Sequence, residues 1–190
     1  MAKIAVLYGT TQGQTGKIAQ RVASIGRQHG HQVDVVHLAE VDASFDIAAY
    51  DGVMVGASIH EGSHQRYVYR WLKAHQAALA SMPTTAFTVC LAIRSLNEDE
   101  RAEARAFSGL YREKTGWTPD VSEVFAGALM YSEYNWLVRM VMKSIARHEG
   151  GSTDTSHDTE YTDWTEVDRF AEAFFSRPEL NRRGEVRALP

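Results

Sequence analysis

Thr10, Thr11 and Thr15 put three hydroxyls into one short loop, and Gln12 and Gln14 add two side-chain amides among the glycines Gly9, Gly13 and Gly16. Residues 9 to 16 carry no charge, so the chemistry open to them is capture of an anion through hydrogen bonds alone. The run Ile4-Ala5-Val6-Leu7-Tyr8 before the loop reads as a strand. Ile18, Val22 and Ile25 after it recur at helical spacing, with Gly30 as the C-terminal stop. The loop therefore ends where a helix begins. Free N–H groups and the helix dipole attract an anion there, and the threonine hydroxyls add donors without a lysine. A terminal phosphate monoester fits such a cradle.

Two better-known phosphate loops fail against these residues. A Walker A loop needs a glycine five positions before its Gly-Lys pair and a hydroxyl after it. Around Gly16-Lys17 those positions hold Thr11 and Ile18. The dinucleotide pattern G-x-G-x-x-G is missing as well. ATP hydrolysis and a Rossmann-type NAD site both lose ground, and an uncharged cradle suits FMN.

Other reactive side chains give less. His60 and His64 stand four apart, but Gly62 interrupts any helix between them and no third ligand is evident, so no metal is expected and both histidines should border a flavin or solvent. Cys90 is the one cysteine; it excludes a disulfide within the chain, and its apolar surroundings, Thr88 to Ala92, mark it as core rather than nucleophile. No serine triad can be argued.

These residues need a scaffold. Val33 to Leu38 and Gly52 to Ala57 read as the second and third strands, the latter nearly all apolar as in buried parallel sheets. The segment between them is too short for a full crossover helix, so a short or irregular one is expected. A helix follows over Gln65 to Ala80, with Val68, Leu72 and Leu79 inward, then a strand over Thr84 to Ala92. The next helix spans Glu98 to Lys114, with Ala102, Ala106, Phe107 and Leu110 on its apolar side. Val121 to Leu129 is the fifth strand. The last helix begins at Asp163 as cap, with Glu166 in the first turn and Val167, Phe170, Ala171 and Phe174 packed.

Alternating strands and helices predict an α/β fold: a five-stranded parallel sheet in the order 2-1-3-4-5, helices on both faces, and a long insert after strand five. One domain is expected over residues 1 to 176, with the insert at about 130 to 150 and a frayed polar tail from Arg177 to residue 190. Ligands in such sheets bind at the carboxyl ends of the strands. The loops to read together are therefore the first one, Ser58-Ile59-His60-Glu61-Gly62 after strand three, and Leu91-Ala92-Ile93-Arg94 after strand four.

The arrangement resembles the flavodoxin-like fold, in which the first loop holds the FMN phosphate and the other two flank the flavin ring. Five further stretches sharpen the match: Gly13-Gln14-Thr15, Gly56 to Ile59, Ala126 to Leu129, Gly150 to Thr155 and Tyr161 to Trp164. Together, over about residues 1 to 175, they look like the bacterial menaquinone-dependent protoporphyrinogen IX dehydrogenase family. The resemblance implies FMN-dependent oxidation of protoporphyrinogen IX to protoporphyrin IX in haem biosynthesis, with electrons passed to a quinone. Thr10, Thr11, Gln12, Gly13, Gln14 and Thr15 would bind the cofactor with Ser58 to Gly62 and Leu91 to Arg94. No side chain need serve as catalytic acid or base.

The insert adds Tyr131, Tyr134 and Trp136, with Arg139, Lys143 and Arg147 at helical spacing. Such a helix would rest at a membrane interface near quinone or place cations near porphyrinogen propionates; the alternative is one more helix packed on the sheet. Two other functions stay open, a flavodoxin-type electron carrier and an FMN-dependent quinone reductase fed by NAD(P)H. A net charge of −4 argues against a nucleic-acid partner. No stretch reaches about 18 apolar residues and no signal-peptide pattern opens the chain, so a cytoplasmic protein with at most peripheral contact at the inner membrane is expected.

Overall fold

The computed structural model describes residues 1–41, 45–129 and 159–180. In chain order the elements are β1 (Lys3–Gly9), α1 (Gln14–Gln28), β2 (Gln32–His37), β3 (Gly52–Ser58), α2 (Arg66–Ala74), α3 (Gln76–Leu79), β4 (Thr84–Val89), α4 (Glu98–Ala106), α5 (Leu110–Thr115), β5 (Val121–Phe125), β6 (Ala128–Leu129), β7 (Thr159–Glu160) and α6 (Trp164–Phe175). The first five strands form one parallel sheet in the order β2-β1-β3-β4-β5, as the alternating pattern predicts. The link from β2 to β3 holds a short 3₁₀ turn, Ile47–Ala49, among its described residues.

Alternation along β1 divides the core into two layers, because successive side chains of a strand point to opposite faces. Ile4 and Val6 join Ile18 and Val22 of α1, Met54 and Phe87 of the sheet, and Val167 and Phe174 of α6. Ala5 and Leu7 face the other way, onto Val68 and Leu72 of α2, Leu79 of α3 and Tyr111 of α5. Asp163 caps α6 by accepting from the Thr165 and Glu166 N–H groups. Arg21 of α1 meets Asp168 of α6 in a two-pronged pair at 2.7 and 2.6 Å. His31 joins the two ends of this layer. Its Nδ1 accepts from Ala2 N at 3.3 Å, which leaves Nε2–H to donate to Phe175 O at 3.1 Å.

Several boundaries differ from the periodicity reading. The helix expected over Gln65 to Ala80 breaks at His75, whose Nδ1 lies 2.8 Å from Trp71 O and whose ring stacks on Trp71 at 4.2 Å; a side chain claims a helix carbonyl there. The helix expected over Glu98 to Lys114 is broken by a 3₁₀ turn at Phe107–Gly109, where Ser108 Oγ donates to Arg105 O. Its buried residues are Ala104 and Tyr111, Phe107 packs half-buried beside Ala104 and Val124 as expected, and Ala102 and Ala106 are exposed.

The fourth strand stops at Val89, and Leu91–Arg94 forms a 3₁₀ turn whose apolar side chains pack beside the sheet end. The fifth strand stops at Phe125, and Ala128–Leu129 instead pairs antiparallel with Thr159–Glu160. At the far end Arg177 pairs with Asp120 at 2.7 Å, and Leu180 is fully buried against Gly52 and Phe174, so the packed body runs past Arg177, where fraying was expected to begin.

Candidate cofactor site

At the carboxyl end of β1 the chain turns through Thr10 to Gly13 into α1. Gly13 takes a left-handed φ of 87°, its N–H donates to Thr10 Oγ1 at 2.8 Å, and Lys17 N makes the first i→i−4 bond to Gly13 O. The N–H groups of the first turn before Lys17 have no carbonyl behind them, no acidic residue stands in that turn, and no side chain caps it among the described residues. The helix start is thus uncharged and open, an arrangement suited to an anion.

A second layer holds the loop in shape. Tyr67 of α2 accepts from Thr10 N at 3.1 Å, and its hydroxyl lies 3.3 Å from both Thr10 O and His37 Nε2. Burial raises the Tyr67 pKa, against the pull of the Thr10 backbone bond. Gln65 Nε2 donates to Thr11 Oγ1 at 3.1 Å and to Ser58 Oγ at 2.7 Å, joining the first loop to the β3 loop. Gln14 Nε2 donates to Thr162 Oγ1, which itself donates to Ala126 O, so the segment before α6 closes the remaining side.

The β3 loop is a closed turn. His60 and Ser63 exchange backbone hydrogen bonds at 2.9 and 3.1 Å, and the two residues between them, Glu61 and Gly62, have φ of 51° and 75°. Ile59 N donates to Val89 O, which sets this turn beside the β4 end. There Ile59, Ala92 and Ile93 pack on Cys90, Ala104 and Val124, giving an apolar shelf with Arg94 exposed at its edge. Burial pushes the Cys90 thiol pKa up, as for an inert core thiol.

The three predicted loops thus meet at one edge, but His64 does not belong to it. It is 3% exposed, stacked on Tyr111 at 4.4 Å, with Nε2 3.0 Å from Thr88 Oγ1. The expectation that it borders a flavin or solvent is corrected: burial keeps it a neutral core group, with its pKa lowered to about 3. Gln65, Tyr67 and Thr162 were missed as site residues, because in sequence they read as helix faces and turn; only Tyr67, a large hydroxyl in the first turn of a helix that follows a site loop, gave a hint. Tyr131, Tyr134, Trp136, Arg139, Lys143 and Arg147 lie outside the described residues.

The donor set fits a phosphate carried on a polyhydroxyl chain. Thr15 is fully buried, and its Oγ1 has no hydrogen-bond partner among the described residues, a donor in want of an acceptor. Gln14 Oε1 is likewise buried and unpartnered; as an acceptor it suits a hydroxyl rather than a phosphate oxygen. FMN offers both, together with a flat ring for the shelf between the β3 and β4 loops.

Sheet order, edge and cradle together define a flavodoxin-like protein, and the family model described as "Flavodoxin domain" matches residues 5–156. A solved short-chain flavodoxin associated with a bacterial microcompartment has the same fold, with a TM-score of 0.52 and 16% identity over 92% of this chain and 97% of that one. The protoporphyrinogen IX dehydrogenase [quinone] of Escherichia coli is 34% identical over 169 residues, 89% of this chain and 92% of the relative. That of Leishmania major is 33% identical over 177 residues, 93% of this chain and 76% of the relative. The chain belongs to the protoporphyrinogen IX dehydrogenase family. No helix among the described residues is long and apolar enough to cross a membrane.

Proposed function

We propose that this chain binds FMN at the carboxyl edge of its sheet and oxidises protoporphyrinogen IX to protoporphyrin IX in haem biosynthesis, passing the electrons to a quinone. The observation that carries the reading is the uncharged cradle, with its orphaned Thr15 hydroxyl, in a member of this family. FMN, when bound, would supply a centre that takes up two electrons at a time from the reduced tetrapyrrole and releases them to a quinone, so the six-electron oxidation to protoporphyrin IX takes three such rounds and reduces three quinones.

The chain's own residues hold and shield. Thr10, Thr11, Gln12, Gly13, Gln14 and Thr15 take the phosphate end through hydroxyls and the free N–H groups of α1. Ser58 to Gly62 present backbone groups to the polar edge of the ring, and Leu91, Ala92 and Ile93 exclude water from its face. Arg94, exposed at the rim, offers a cation to a substrate propionate. No side chain of the edge is assigned as acid or base. Tyr131, Tyr134, Trp136, Arg139, Lys143 and Arg147 belong to the same proposal, as the surface that meets the porphyrinogen or a peripheral membrane face where quinone is held.

The test is anaerobic incubation of FMN-loaded protein with protoporphyrinogen IX and a menaquinone analogue, following porphyrin fluorescence against free FMN. A protein-dependent rise is the expected result. No rise with FMN bound overturns the dehydrogenase reading and leaves an electron carrier or a quinone reductase.

A further inference from the structure

Among the described residues Glu61 is the one non-glycine with a positive φ, 51°, and it sits at the tip of the β3 turn. A side chain in the left-handed region is strained, so the turn needs something to hold it. The exchange of backbone bonds between His60 and Ser63 closes its base. Beyond that base, Tyr69 of α2 accepts the His64 N–H at 3.1 Å, and its hydroxyl lies 3.3 Å from Ser63 Oγ and 3.2 Å from His64 Nδ1. His64 is anchored in turn by Thr88 of β4 and by the ring of Tyr111 of α5, whose hydroxyl donates to Phe87 O.

We propose that Tyr69 and His64 are positioning residues for the cofactor site, latching the Glu61–Gly62 turn in its left-handed conformation and so fixing the backbone groups it presents to the edge of a bound flavin. The proposal rests on the FMN reading above. A chain of buried and half-buried hydroxyls and an imidazole stabilises a core no better than apolar side chains would, because each polar group must first be desolvated. What it adds is direction: β4, α5 and α2 are all tied to one strained turn at the ring-facing edge. The turn therefore holds its shape before any ligand arrives.

Tyr69→Phe keeps the ring edge against His64 and removes only the hydroxyl. In the cofactor-free protein, amide exchange at His64 is expected to rise about tenfold, the size of one lost buried hydrogen bond. In the loaded protein, the FMN dissociation constant is expected to rise about tenfold and the flavin midpoint potential to move from the parent value. Adding Glu61→Gly is expected to recover part of the affinity, since glycine takes that φ without strain. Faster exchange with unchanged affinity and potential overturns the positioning role, as does a fall in thermal stability alone. If the parent fails to bind FMN, the FMN reading falls instead, and the exchange measurement still decides whether the latch exists.

Discussion

The side-chain amide of Gln65 donates to Ser58 Oγ at 2.7 Å, and the same nitrogen reaches Thr11 Oγ1 at 3.1 Å. One side chain thereby ties the phosphate loop to the loop expected to meet the ring. Gln65 Oε1 is buried without a partner among the described residues, so the amide contributes more to the geometry of the edge than to the stability of the fold. Gln65→Leu is expected to weaken FMN binding roughly tenfold while leaving the thermal midpoint of the cofactor-free protein near the parent value. Flavin fluorescence titration and calorimetry together check this; equal affinities would show that the two loops hold their places unaided.

Thr15→Val exchanges a hydroxyl for a methyl of similar shape. Because Thr15 Oγ1 is fully buried and unpartnered, the cofactor-free protein should lose no stability and gain a little. FMN affinity should fall about tenfold or more, whereas riboflavin, which lacks the phosphate, should bind the variant and the parent alike. Parallel titrations with the two flavins separate these outcomes, and an equal loss for both would place Thr15 away from the phosphate.

Gly56 stands opposite Phe87 in the β3–β4 register, and a Cβ there would lie 2.0 to 2.6 Å from three atoms of the Phe87 ring. Phe87 is fully buried, so its ring has neighbours on every side. Gly56→Ala should therefore destabilise the fold by about 1–3 kcal/mol, measured by urea denaturation. A neutral effect would mean that the ring has room to relax.

His64 makes stability depend on pH. Burial lowers its folded pKa to about 3 from an ordinary 6.5. Between those values the unfolded chain takes up a proton that the folded chain refuses, so this contribution is fully present above pH 6.5 and is lost as pH falls toward 3. The loss approaches about 1.4 kcal/mol per pH unit inside that window. In His64→Gln the acid-side slope of stability against pH should flatten; a slope identical to the parent's would assign the acid sensitivity to other groups.

Much of this protein was legible in one dimension. The alternating strands and helices, the open helix start at the first βα junction and the cap at Asp163 follow from local rules: hydrophobic period, the N–H groups left free at a helix start, and the preference of a carboxylate for that end. Such rules act within a few residues, so the sequence states them directly. What only the tertiary structure decided is where elements stop and which polar groups meet across them. Val89 ends its strand although the apolar run continues, because Ala92 and Ile93 pack on a cluster that includes Ala104 of α4 and Val124 of β5. His64 is a core group rather than a site residue because Tyr111, far along the chain, offers its ring, and Thr88 and Tyr69 its hydrogen bonds. Gln65 and Thr162 look like ordinary surface residues until folding brings Thr11, Ser58 and Gln14 to them. Pairing between distant residues depends on the closed packing of the whole sheet and its helices, and no local period encodes it.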